Sequence, residues 1–107
     1  MGRSENERWL NGRGQVLAAC RAGAQSLTLT PAERLTEIVW LVHRCLRSTG
    51  DLLVVRRRDP AYLETASTIA LNLGLPRAIE AFTQGEGALE TRFFELLDDM
   101  CEELRVC

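Results

Sequence analysis

The sequence predicts an all-α fold, a compact single domain of four to five helices in bundle-like or orthogonal packing. Three observations lead there. Apolar residues recur at three- and four-residue intervals along most of the 107 residues, the spacing of a buried helix face. Helix-start signals stand at Thr30-Pro31-Ala32-Glu33 and Asp59-Pro60, and a stop stands at Gly74-Leu75-Pro76. No sheet of consequence is expected between them. A chain of this length holds one core rather than two, so residues 1–107 read as one domain.

Taken in order, Ser4-Glu5-Asn6-Glu7 has the spacing of a capping box, with the Ser hydroxyl and the Glu carboxylate serving each other's amides. The first helix follows, with Trp9, Leu10, Val16, Leu17, Cys20 and Ala24 at rough helical period. Gly12 and Gly14 weaken its middle by about 1 kcal/mol each, so a kink or a late start is expected. Thr30 caps the second helix, which runs from Pro31 to about Thr49 and stops at Gly50. Its core face holds Leu35, Ile38, Val39, Val42, Cys45 and Leu46. Residues 52–58, LLVVRRR, fit a strand, a loop or a helical turn equally. Asp59 as cap and Pro60 at the first position open a third helix, with Tyr62, Leu63, Ala66, Ile69, Ala70 and Leu73 as its stripe. A short helix from Arg77 to Thr83 presents Ile79 and Phe82. Beyond Gln84-Gly85-Glu86-Gly87, a long last helix carries Leu89, Phe93, Leu96, Leu97, Met100 and Leu104.

Charge is distributed unevenly. Residues 1–60 carry ten Arg against six acids, a balance of +4; residues 61–107 carry three Arg against nine acids, a balance of −6. The halves either complement each other within the fold, or leave a bipolar molecule that meets its own copies head to tail, or leave a basic face that meets an anion. All thirteen cations are arginine and none is lysine. Arg, Ala and Gly total 32 residues against 7 for Lys, Asn, Ile and Tyr, the bias of a GC-rich genome. Selection against lysine is the other reading, and it implies a viral or secreted effector acting near a ubiquitin ligase. The four cysteines, at 20, 45, 101 and 107, form no CxxC pair, and the single His43 has no partner at metal spacing; no metal or cofactor is expected. No apolar run reaches the ~18 residues that span a bilayer, and the N-terminus is polar, so a cytoplasmic protein is expected.

The residues that point to function lie on the second helix. Trp40 projects about 160° away from the core face, by helix geometry, among Glu33, Thr36, Glu37, His43, Arg44 and Arg47. A large aromatic flanked by arginines has the composition of an interface anchor. Cover by another segment, the first helix above all, would make it core instead. Arg56, Arg57 and Arg58 either assist such docking or pair with the acidic last helix, whose end holds Asp98, Asp99, Glu102 and Glu103. Enzyme signatures are lacking: no P-loop, GxGxxG, GxSxG or HExxH occurs.

The stretch ETASTIALNLGLPRAIEAF resembles part of a helix-turn-helix, with Ala70 and Gly74 four apart as in that motif's first helix and turn. Ile79 and Phe82 come one residue early for it, and Arg77, Thr83 and Gln84 are what the second helix offers to DNA. It is also similar to a single tetratricopeptide-type hairpin, with no second copy in the chain. The main expectation is a non-enzymatic protein–protein interaction module, an adaptor, inhibitor or immunity-type partner, or chaperone-like binder, docking through Trp40, His43, Arg44, Arg47 and Arg56–Arg58 onto another protein or onto a second copy of itself as a homodimer. The alternative implied by the first resemblance is a DNA-binding regulator using residues 64–84.

Overall fold

Burial on two sides of one helix organises this molecule. The chain's computed structural model describes residues 3–23 and 29–107, with the backbone alone for residues 3, 4 and 20–23. Six helices occur among them: α1 (Arg3–Gly23), α2 (Pro31–Ser48), α3 (Leu53–Arg58), α4 (Tyr62–Leu73), α5 (Pro76–Thr83) and α6 (Glu86–Arg105). The described residues are all-helical, one helix beyond the expected four to five because LLVVRRR also coils. The Cα radius of gyration, 12.7 Å, matches the roughly 13 Å of a compact chain of this length.

The helix ends follow local chemistry where that chemistry is left undisturbed. Thr30 Oγ1 accepts from the Glu33 amide at 3.2 Å, and Glu33 Oε1 accepts from the Thr30 amide at 2.9 Å, closing the expected capping box. Gly74 adopts φ +67 and ends α4, with the Leu75 amide donating to the Ala70 carbonyl at 3.1 Å. A side chain with a Cβ disfavours that left-handed conformation, which is why glycine stands there. Asp59-Pro60 does not start a helix as expected. The Asp59 carboxylate is instead taken by the Arg34 guanidinium, and α4 begins at Tyr62 with no side-chain cap. The Ser4 side chain, Ala24 and the Cys20 side chain lie outside the described residues.

Packing centres on α2, which meets α1, α3, α4 and α6; α1 also meets α6, and α5 lies between α4 and α6. Leu35, Ile38, Val39, Val42 and Leu46 are buried as the periodicity predicts, while Cys45 is half-buried. The opposite side of α2 is buried too, through Thr36, Trp40 and His43. The whole stripe of α6 from Leu89 to Leu104 is buried, each large side chain contributing about 1.5–3 kcal/mol. Gly12 and Gly14 do not break α1. Gly14 is instead a packing position, for a Cβ placed there would stand 2.1 Å from Trp40 Cγ. Val16, expected in the apolar stripe, is 53% exposed. Among the described residues no helix is long and apolar enough to cross a membrane.

Candidate functional site

The α2 side chains expected to form an exposed docking face divide by depth. Trp40 is 5% exposed, because α1 passes over it at Gly14. Its indole Nε1 has no hydrogen-bond partner among the described residues. The Arg44 guanidinium covers the outer side of the ring, 5.0 Å from its centre, a cation–π contact. Trp40 is therefore core that supports a surface arginine, and not itself the anchor reaching into solvent. His43 is likewise 5% exposed. Phe93 and Phe94 of α6 lie 6.5 Å and 5.9 Å from it, ring centre to ring centre.

His43 belongs to a junction of three helices. Glu7 Oε1 of α1 stands 3.6 Å from His43 Nε2, beyond hydrogen-bond reach, and 2.6 Å from an Arg47 guanidinium nitrogen. Burial pushes the His43 pKa down, against the opposing pull of Glu7, and nearby Arg47 adds to the lowering. Burial alone would raise the Glu7 carboxyl; Arg47 and His43 together hold it below its ordinary value. The Arg47 guanidinium also lies 5.0 Å from the centre of the Phe94 ring. Arg47 is thus part of the frame, stitching α2 to α1 and α6.

The arginines of α3 also separate. Arg56 reaches Glu86 at the start of α6, 3.4 Å away, and the same carboxylate accepts from the buried Tyr62 hydroxyl at 2.8 Å. Burial, reinforced by Glu86, raises the Tyr62 pKa and keeps the phenol protonated. Arg56 thus pairs with the last helix as expected, but at its start, and the acids of its last turns meet other partners. Asp98 accepts from Asn6 at 3.2 Å, Asp99 meets Arg77 at 3.4 Å, and Glu103 accepts from the Arg77 and Ala78 amides at 2.9 and 3.2 Å. Arg57 and Arg58 are exposed and, with Arg44, form no ion pair among the described residues. Arg13, Arg34, Arg77 and Arg92 by contrast each face a carboxylate.

Arg44 and Arg58 converge on two adjoining grooves between α2 and the end of α3. The larger, about 490 Å³, is lined also by Ala18 and Ala19 of α1, Trp40, Glu37 and Asp59. The smaller, about 200 Å³, has Leu41, Cys45 and Val54 as its apolar wall and Ser48 as a polar one. Burial raises the Cys45 thiol pKa, so it stays neutral at physiological pH. Leu41, Ser48 and Val54 carry no signal in the sequence that marks them as site residues. They enter it because α3 turns back beside α2, a placement that no local pattern encodes.

The stretch resembling a helix-turn-helix forms α4 and α5, and carboxylates of α6 meet the start of α5. Glu103 occupies the amides at the start of α5, and Arg77 is held by Glu80 at 3.0 Å and by Asp99. The second helix of the pair is therefore bordered by carboxylates. Among the described residues no three His, Cys, Asp or Glu side chains gather as a metal site. No protein-family model, curated protein or solved structure matches this chain.

Proposed function

We propose that the protein is a small interaction module that docks an acidic surface of another protein against the arginine rim of α2 and α3. The observation that supports this most is the contrast in pairing. Arg44 and Arg58 form no ion pair among the described residues and line the same two grooves, whereas most arginines elsewhere are matched within the fold. Guanidinium suits such a role, since its planar fork binds carboxylates bidentately and is weakly hydrated compared with an ammonium group. Trp40 and His43 serve the rim from beneath: the indole supports Arg44, and the His43 junction positions Arg47 beside it. The carboxylates around α5 weigh against residues 64–84 as a reader of duplex DNA, which requires cations at the phosphates.

Retention on an immobilised poly-glutamate matrix tests the proposal. The wild-type chain is expected to be retained at low salt and released as ionic strength rises. Arg44→Gln/Arg58→Gln is expected to elute clearly earlier. Arg77→Gln/Arg92→Gln, which removes the same net charge from the paired arginines, is expected to elute close to wild type. Equal elution of the two double variants would leave net charge alone as the cause and sink the proposal.

A further inference from the structure

We infer that the smaller groove between α2 and α3 is an anchor pocket for a peptide segment that places a carboxylate beside an aliphatic side chain. This rests on the arginine rim being a docking surface, and it names what that rim selects. The pocket holds about 200 Å³, roughly six or seven waters at ~30 Å³ each. That is room for one or two side chains.

Its lining is divided in chemistry. Leu41, Cys45 and Val54 are apolar, Arg44 and Arg58 are cationic, and no carboxylate lines it. Asp51 stands beside the pocket without lining it, accepting from Oγ1 of the lining Thr49 at 3.3 Å and from the Leu53 amide at 3.1 Å. The larger groove shares Leu41, Arg44 and Arg58 but adds Glu37 and Asp59, and Arg34 bonds to both of these acids. Negative charge in the larger groove is thus met from within the fold, while positive charge at the smaller one is not. Two guanidinia at one opening are matched by a carboxylate, which accepts paired N–H donors. The aliphatic wall adds a second requirement. Val54 is 43% exposed, and Leu41 and Cys45 are half-buried; covering them removes apolar surface from water. A ligand that is only anionic leaves that wall wet.

The test is a titration of the ¹⁵N-labelled full chain, followed by NMR, with a blocked hexapeptide of alternating leucine and glutamate. Binding is expected to move the Ser48 and Val54 amide signals and the Arg44 and Arg58 side-chain signals together. Replacing the glutamates with glutamine, or Arg58→Gln in the protein, is expected to weaken binding at least tenfold. Replacing the leucines with serine, or Val54→Ser in the protein, is expected to weaken it at least fivefold; both protein positions are exposed, so these variants keep the fold. A serine–glutamate peptide that binds as well as the leucine–glutamate one overturns the pocket and leaves the rim as a general acidic docking surface. Tighter binding of inorganic phosphate than of the peptide overturns it as well. If neither the peptide nor poly-glutamate binds, the rim and the pocket fall together.

Discussion

Single residues in this chain are legible when their neighbours in space are also their neighbours in sequence. Trp40 shows the limit. Its angle from the core face is correctly read from the helix period, yet its environment depends on α1 crossing α2 at Gly14. Two glycines in α1 look alike in the sequence and differ in the fold. A Cβ at Gly14 meets Trp40 at 2.1 Å, whereas nothing lies within 4 Å of one at Gly12. Gly14→Ala is expected to cost about 1–3 kcal/mol through forced separation of the helices, and Gly12→Ala to gain up to about 1 kcal/mol. Urea unfolding of the two variants checks this opposition of sign. Trp40→Ala is expected to lose about 3–5 kcal/mol, as for other buried large aromatics. His43 adds a pH dependence. Its pKa is depressed in the folded state by burial, so the unfolded chain binds the proton more readily. The resulting stability is complete above about pH 6.5, the ordinary histidine value, and declines as pH falls below it until the folded-state pKa is reached. The slope approaches 1.4 kcal/mol per pH unit for one proton. Glu7 on α1 and Arg47 on α2 are the charged groups facing the ring, with Phe93 and Phe94 on α6. Denaturation at pH 7.5 and 5.5 should show the difference in wild type and its disappearance in His43→Gln.

At the scale of elements, boundaries were readable where caps are local and lost where a distant partner takes the capping group. Thr30 and Glu33 close their box within three residues, and Gly74 ends α4 through its own backbone. Asp59 has the sequence of a cap, but its carboxylate goes to Arg34, 25 residues away, and α4 starts later. The short segment 53–58 is helical through tertiary support, with Val55 fully buried and the Leu52 amide donating to Glu90 of α6 at 3.2 Å. The start of α5 repeats the point: Leu75 offers no capping side chain, and Glu103 from α6 supplies the acceptor. Removing that carboxylate leaves two amides unmatched at a helix terminus. Glu103→Ala is therefore expected to cost about 1–2 kcal/mol in chemical denaturation, the range of a lost helix cap. Glu102→Ala, one residue away and exposed, is expected to stay within about 0.5 kcal/mol of wild type. Equal effects would remove the capping role assigned to Glu103.

For the whole molecule, the sequence shows an excess of positive charge in one half and of negative charge in the other, and few of the described ion pairs join the two. Among the described residues, Arg56–Glu86 is the ion pair that joins residues 1–60 to residues 61–107; the remaining pairs lie within one half or the other. If the two balances also separate in space, across principal extents of 35 × 31 × 28 Å, the molecule carries a charge dipole. Such a field acts at a distance only when salt permits. The screening length is about 30 Å at 0.01 M ionic strength and about 8 Å at 0.15 M. Among the described residues, the exposed large aliphatics are spread over α1, α3, α4 and the C-terminus as Val16, Leu53, Val54, Leu71, Leu73 and Val106, on several elements rather than one, whereas a stable dimer buries a broad surface. Copies are therefore expected to attract one another weakly, head to tail, at low salt and to separate at physiological salt. Light scattering under reducing conditions should give the 12.0 kDa mass of one chain at 0.15 M, and an apparent mass that rises with protein concentration near 0.01 M. Arg57→Gln/Arg58→Gln should reduce that rise by shrinking the positive pole. A mass of two chains that persists at 0.15 M would instead identify a built interface, and the arginine rim would then have to be sought within it.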